Sequence, residues 1–391
     1  MNIKNNDVIN LAKTWIESAS KYQTRGSKLQ DLKYQRLLND PPGKFFLVAL
    51  LDQSFRSKSA KRTLKQIKYV VNRYGIPIFF SSIERSFFRL FLMFGPLAPS
   101  LAVPIFQYKL KMDTRHLIVP LETAKLSKHI QSRYKQGFMV NINIIGEEVL
   151  GETDAQNRLN DYLQTLDLPM VNYLSVKVSA IFSSLHPLSE DSSVKILSER
   201  LSKLYRKCMT FDPPKFINLD MEAYKDLHVT INTFKHTLDK EEFKKHTAGI
   251  VLQTYLPDTL PILEDLLEWA KKRVKNGGAP IKVRLVKGAN LQMENVYSAL
   301  DNLDSPIYDT KVEVDANFKR IITYAVHKDR MPYVHIGLGS HNLFDIAYTW
   351  ILVEREGLQK YFTFEILEGM SDHLALFLQK HVHQTLLYTP V

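Results

Sequence analysis

Residues 248–276 read AGIVLQTYLPDTLPILEDLLEWAKKRVKN, and the architecture follows from this stretch. Its first six residues, 248–253, form a short apolar run rich in β-branched side chains, as expected of a strand covered on both faces. From 258 to 276 the apolar residues return at helical spacing instead. The same strand-then-helix unit repeats to either side. Strands are expected at 139–145 (MVNINII), 173–178 (YLSVKV), 215–219 (KFINL), 281–286 (IKVRLV), 332–338 (PYVHIGL), 361–366 (YFTFEI) and 385–388 (TLLY). Helical patterns fall near 152–167, 192–208, 222–238, 312–328, 342–356 and 371–383. Strand starts lie about 24 to 51 residues apart, the rhythm of βα units and not of hairpins. Eight such units over 139–391 predict an α/β fold, a (β/α)8 barrel of the TIM type. An open doubly wound sheet is the runner-up, but it would carry a Gly-rich turn after its first strand, and none is there.

Charge divides the chain. Residues 1–138 hold 24 Lys and Arg against 8 Asp and Glu, whereas 139–391 hold 28 against 33, giving +11 overall. The asymmetry predicts two modules, a basic all-α module over 1–138 and the barrel over 139–391. Between Ser54 and Gly75 stand Arg56, Lys58, Lys61, Arg62, Lys65, Lys68 and Arg73 with no acid, opposite an apolar face of Leu64, Ile67, Val70 and Val71. A solvated helix face is the plain reading of this run. Peripheral docking on an anionic lipid surface is the alternative. Nucleic acid is not expected, because no binding motif accompanies the charge. The uncharged stretch 90–108, LFLMFGPLAPSLAVPIFQY, reaches membrane-spanning length. Gly95, Pro96, Pro99 and Pro104 break it, which predicts two short helices packed against the second module. A single cysteine, Cys208, excludes an internal disulfide, and the start MNIKNNDVIN has no secretory pattern. These features point to a reducing, cytoplasmic setting.

In a barrel the chemistry sits at the carboxyl ends of the strands. Those ends carry Lys177, Asp220 with Glu222, Gln253, Arg284 with Lys287, His341 with Asn342, and Glu365. Singly, each could be a surface or paired structural charge; a polar group at the end of nearly every strand is hard to explain as core filling.

The same residues carry a family resemblance. NLDMEAY (218–224), IVLQTYLPD (250–258), RLVKGANLQME (284–294), IYDTKVEVDANF (307–318), GSHN (339–342) and FEILEGM (364–370) resemble successive strand-end motifs of proline dehydrogenase, as found in the bifunctional PutA-type proline utilization flavoproteins. LSVKVSAI (174–181), His186–Pro187 and IIGEEVLGE (144–152) fit in the same order. The resemblance implies FAD-dependent oxidation of L-proline to Δ1-pyrroline-5-carboxylate, with hydride passing to the flavin and electrons on to a membrane quinone. It further implies contact with the inner membrane face and an aldehyde dehydrogenase module in a longer parent chain. By the same resemblance Lys177 holds the proline carboxylate, Arg284 and Gln253 meet the isoalloxazine, and Asp220 orients the polar network. Ala289, Leu367 and Tyr388 wall the substrate ring. Val286, Lys287, Gly288, Ala289 again, Asn290, Lys311, Ser340, His341, Asn342 and Glu365 complete the cofactor surroundings.

Other readings attach to single features. Lys177 could serve as a Schiff-base lysine in an aldolase-type barrel, and GLGSHN could be mistaken for a dinucleotide loop. His381 and His383 precede the last strand, not the first as in metal-dependent barrel hydrolases, so no metal is expected. Two departures from the family pattern stand out. Asn290 replaces a tyrosine that often follows the KGA motif. The resemblance also ends at YTPV, before a helix that in the family bears an arginine pair clamping the substrate carboxylate, one arginine pairing with a glutamate matching Glu147. A chain lacking that final helix is expected to handle proline poorly. The alternatives are a catalytically silent FAD-binding or membrane-docking remnant, and a flavoenzyme for a related cyclic amine.

Overall fold

Eight parallel strands close into one barrel in the order β1 to β8. They are Met139–Asn143 (β1), Tyr173–Lys177 (β2), Phe216–Asp220 (β3), Gly249–Gln253 (β4), Ile281–Val286 (β5), Val334–Gly339 (β6), Phe362–Leu367 (β7) and Thr385–Pro390 (β8). The structure is a computed structural model that describes residues 3–54, 57, 59–114, 118–146, 149–186, 189–382 and 384–391. Arg56, Lys58, Glu147, Glu148, Pro187 and His383 lie outside the described residues.

Every strand expected from the sequence is present, each within two residues of its expected start. Six of the helices after them start as close to expectation: α8 (Glu152–Asp167), α10 (Glu190–Met209), α12 (Thr259–Lys275), α14 (Lys311–Ala325), α15 (Leu343–Glu356) and α16 (Asp372–Val382). Helix α11 (Leu227–Leu238) begins five residues later than the expected 222, after a tight turn at Tyr224–Asp226. Two helices were not expected, the single turn α9 (Val178–Ile181) and α13 (Leu291–Asp301). In α13 the apolar residues Leu291, Met293, Val296, Tyr297 and Leu300 are all exposed and Glu294 is buried. Its pattern therefore gives no core-facing stripe for periodicity to find.

The chain divides into two compact units at other points than the change in charge at 138. Residues 23–118 form one; 1–22 and 119–391 form the other. The first helix, α1 (Asn5–Ser20), belongs with the barrel: Trp15 meets Phe377 edge-on at 5.6 Å, and Val8 and Ala12 pack on Ala347. Helix α7 (Thr123–Lys135) likewise buries Leu126 and Ile130 in the barrel's core cluster. Charge reports what a helix shows to solvent, whereas its unit is decided by what its apolar face covers.

The smaller unit holds α2 (Arg25–Leu38), α3 (Pro41–Ser54), α4 (Ala60–Tyr74), α5 (Ser82–Phe94) and α6 (Pro99–Thr114). Helix α4 has the expected two faces, with Leu64, Ile67 and Val70 buried and Lys61, Arg62, Lys65 and Arg73 exposed. The long uncharged stretch is broken into α5 and α6 by a tight turn at Gly95–Leu97. Phe88 and Phe91 of α5 and Val103 and Phe106 of α6 bury themselves with Phe46, Leu50, Leu64 and Ile67, a core belonging to this unit itself. No helix among the described residues is long and apolar enough to cross a membrane.

One buried histidine gives the barrel unit a pH-dependent stability. The ring of His246 lies 4.9 Å from that of Tyr205 and is 3% exposed. Burial, reinforced by the charge of Arg273, holds its pKa down to about 4, against 6.5 for the free side chain. The unfolded chain therefore binds a proton that the native state refuses. Stability is fully present above pH 6.5 and drains as pH falls from there toward 4, by up to about 3 kcal/mol. His246→Phe is expected to flatten this acid limb, read as the urea midpoint at pH 7 and at pH 4.5. An unchanged difference between the two midpoints would assign the limb to other groups.

Candidate active site

Register places the strand-end side chains on one rim. Lys177 and Asp220 are partners across β2 and β3. Gln253 pairs with Val286, Val286 with Gly339, and Gly339 with Glu365, carrying the rim round from β4 to β7. Leu367 and Tyr388 are partners across β7 and β8.

Two cations in β5, Lys282 and Arg284, are spaced so that both side chains take the same side of the strand. Arg284 donates to Asp220 Oδ1 and, at 3.3 Å, to Glu365 Oε2. Glu365 Oε1 in turn meets Lys282 Nζ at 2.6 Å. Charges thus alternate along a buried line: Asp220, Arg284, Glu365, Lys282. Gly337 makes room for it, since a Cβ there would stand 2.2 Å from Glu365 Oε1 and 3.0 Å from Lys282 Cε. Burial works against the charge of Arg284, but Asp220 and Glu365 outweigh it and hold the guanidinium above its ordinary pKa. Burial also opposes ionisation of Glu365, yet Lys282 and Arg284 keep its carboxyl below the usual range. Lys282 is drawn below its ordinary value by burial, which Glu365 offsets only in part.

Asp220 is the hub of the mouth. Its Oδ1 also accepts from Ser175 Oγ at 3.0 Å and Asn218 Nδ2 at 3.1 Å, while Oδ2 accepts from the Tyr388 hydroxyl at 2.6 Å. The Arg284 guanidinium carbon stands 4.7 Å from the centre of the Tyr388 ring, close enough for a cation–π contact. Burial and the neighbouring Asp220 push the Tyr388 hydroxyl far above its ordinary pKa, so it remains a donor. At the next strand end, Lys177 Nζ pairs with Glu222 Oε1 at 2.5 Å, and Ser179 Oγ donates to the other oxygen of that carboxylate.

Gln253 Nε2 donates to the carbonyls of Met221 and Glu222, both at 2.9 Å. Those two bonds fix the amide and leave its Oε1 buried with no partner among the described residues. His341 presents the complementary case. Its Nε2 accepts from the Leu367 backbone N–H at 3.0 Å, which puts the ring proton on Nδ1, and that atom is also buried and unpartnered. Burial lowers the pKa of His341 and favours this neutral form.

A second cluster gathers the remaining expected residues. Lys287 Nζ lies 2.6 Å from Asp315 and 2.7 Å from Asp345; Lys311 reaches Asp315 at 2.6 Å, and Ser340 Oγ approaches Asp345 at 3.5 Å. Asn342 caps α15, its side chain accepting from Phe344 N at 2.9 Å while its own N–H donates to Ser340 Oγ at 3.1 Å. Gly288, with φ of 128°, lies so close to Tyr255 that a Cβ would come within 2.5 Å of the ring. Ala289 is exposed and Asn290 half-buried on the loop that leads into α13.

Sequence reading missed several participants. Lys282 was taken as part of an apolar strand, although its period-two spacing from Arg284 marked it as inward. Glu294 is buried on α13 and accepts from Tyr224 N–H at 2.8 Å. Glu368, 2% exposed, is held by Arg133 Nε at 2.5 Å and Thr389 Oγ1 at 2.6 Å, which ties α7 to the ends of β7 and β8. Nothing local in the sequence pairs residues so far apart. Among the described residues no cluster of His, Cys, Asp or Glu could hold a metal ion.

The two orphaned buried atoms fit a flavin, whose ring and ribityl chain offer both N–H or O–H donors and acceptors, and the α15 amino terminus fits a pyrophosphate. Comparison with known proteins bears on the same barrel. The family model described as proline dehydrogenase matches residues 126–391. Among solved structures, Proline Utilization A (PutA) from Corynebacterium freiburgense is 42% identical with a TM-score of 0.70, over 72% of this chain and 29% of that one. PutA from Bdellovibrio bacteriovorus inactivated by N-propargylglycine is 22% identical with a TM-score of 0.82, over 99% of this chain and 40% of that one. A mutant of PutA from Bradyrhizobium japonicum, 18% identical with a TM-score of 0.68, is matched over 100% of this chain and 42% of its own. The last two show the shared fold. A search of curated proteins gives no match. The chain spans 29% to 42% of the length of these solved structures. With the family model covering its whole barrel, the chain belongs to the proline dehydrogenase family.

Proposed function

We propose that this chain oxidises L-proline to Δ1-pyrroline-5-carboxylate with FAD as the hydride acceptor. The observation that carries the proposal is the buried, doubly paired Arg284 at the mouth of the family-matched barrel, beside the orphaned acceptor of Gln253. FAD, when bound, takes the hydride that leaves the proline ring. Arg284 offers a positive charge where negative charge accumulates, and because Asp220 and Glu365 already hold it, it need not reorganise during the reaction. Gln253 Oε1 is free to accept from a ring N–H of the cofactor. The α15 amino terminus with Ser340 and Asn342, together with Lys287 and Lys311, would face the phosphates, while His341 Nδ1–H would donate to the cofactor's polar chain. Gly288 would let the backbone approach it closely.

Lys177 would hold the proline carboxylate by a charge-assisted hydrogen bond, sharing its ammonium with Glu222. Leu367, Tyr388 and Ala289 would wall the pyrrolidine ring and exclude water, with the Tyr388 hydroxyl anchored on Asp220. The nitrogen lone pair must be free to replace the electrons that leave with the hydride, so the substrate reacts as the neutral amine. A quinone would be the terminal acceptor, and the exposed basic face of α4 is the surface suited to an anionic membrane. Salt-sensitive binding to anionic vesicles checks that contact. An aldehyde dehydrogenase module, where present in the same chain, would consume the aldehyde formed when the product ring opens.

The test is turnover: L-proline, FAD and a soluble quinone, with the cyclic imine product trapped as its coloured adduct with 2-aminobenzaldehyde. Formation of the adduct only with proline and FAD is expected. An adduct from another cyclic amine but not from proline would replace the substrate, and no adduct from any would leave the chain a silent binder.

A further inference from the structure

A cavity of about 340 Å³ opens at the end of the barrel where the strands begin, opposite the mouth described above. Met139, Phe362 and Thr385 are the first residues of β1, β7 and β8, and Lys282 and His335 the second of β5 and β6, so the lining belongs to the amino-terminal rim. Its volume falls within the roughly 300–1,000 Å³ of small-molecule sites. In (β/α)8 barrels this end ordinarily serves stability and carries no chemistry. A cavity of this size there is therefore not part of the mouth.

The lining has a definite chemical character. It contains two ammonium groups, Lys282 and Lys360, and no carboxylate. Lys282 is 8% exposed; one of its three donors meets Glu365, and its ammonium stands 5.3 Å from the Tyr173 ring centre. Lys360 is exposed at the rim, 4.7 Å from the centre of the Tyr361 ring. Thr385 is 1% exposed, and its hydroxyl has no partner among the described residues, an unmet hydrogen bond in the wall of the cavity. Flat and apolar surfaces make up much of the rest, the ring of His335, 5.1 Å from that of Tyr361, with Ile336, Met139 and Phe362, and the neutral polar side chains of Thr363 and Gln384 complete it.

We propose that this cavity binds a small carboxylate with an aromatic or apolar body, its charge held by Lys282 and Lys360 and its body laid against His335, Tyr361 and Ile336. A cation would meet two like charges, and a purely apolar ligand would leave the Thr385 hydroxyl without a partner and the Lys282 ammonium with Glu365 alone. A carboxylate satisfies both through charge-assisted bonds. The site does not depend on the chemistry assigned to the mouth.

Fluorobenzoate is the probe, followed by fluorine NMR on the FAD-loaded chain, with inorganic phosphate as competitor. Saturable binding is expected. It should weaken about tenfold in Lys360→Glu, which reverses an exposed charge, and disappear in Gln384→Trp, which fills the opening while keeping the backbone bond from Phe364 N to Gln384 O. Both variants should keep the parent melting temperature and proline turnover. Absence of saturable binding would overturn the proposal, as would equal affinity in the parent and both variants, which would put the probe elsewhere, including the mouth. Phosphate binding as tightly as fluorobenzoate would overturn the apolar half of the assignment.

Discussion

Replacing Arg284 with methionine is expected to abolish flavin reduction by proline and to destabilise the barrel. The side chain is 6% exposed and stands between two buried carboxylates, so its loss leaves Asp220 without its cation and Glu365 with Lys282 alone. Breaking a buried pair from one side costs about 3–5 kcal/mol. Arg284→Lys separates the two effects. It restores a charge, and hence much of the stability, but a single ammonium cannot span both carboxylates as the fork does. Its melting temperature should recover while its reduction rate remains well below that of the parent. A methionine variant that kept parental stability, bound FAD and reduced it at the parental rate would remove Arg284 from the site.

Lys177→Ala carries the second large effect, of a different kind. Lys177 is half-buried and lies outside the Asp220–Arg284–Glu365 line, paired with Glu222, whose carboxylate also has the Ser179 hydroxyl. The variant should fold and retain FAD. It should lose roughly ten- to a hundredfold in kcat/KM for proline, the worth of one hydrogen bond to a charged group, mostly through KM. Steady-state kinetics with flavin content measured on the same sample decides it. Unchanged kinetics would move the carboxylate site elsewhere, and loss of FAD would make Lys177 a cofactor ligand.

Much of this molecule was legible because barrel strands and their helices announce themselves by period. IKVRLV, YFTFEI and the helices at 152–167 and 258–276 were placed to within a residue or two, each having a core-facing pattern. Helix α13 was not, since its apolar side chains face solvent and its one buried residue is Glu294. The rim was legible for the same reason as the strands: once their ends are known, the polar residues there fall into one layer. What sequence could not show is which of them pair. The bond from Arg284 to Asp220 spans 64 positions and that from Arg133 to Glu368 spans 235, and only barrel closure brings such partners together. Lys282 had a local signal in its spacing from Arg284, hidden by the apolar residues around it. The division of the chain follows burial and not charge: α7 shows a basic surface and α1 sets Lys13 against Asp7 and Glu17, yet both bury side chains, Trp15, Leu126 and Ile130, in the barrel unit.

The most direct measurement is the visible absorption spectrum of the purified chain after reconstitution with FAD, taken anaerobically before and after L-proline. A bound flavin spectrum that bleaches on addition of proline, and persists when D-proline is added instead, is the predicted result. A chain that retains no flavin, or one whose flavin stays oxidised at saturating L-proline, would contradict the assignment of this barrel as a working proline dehydrogenase.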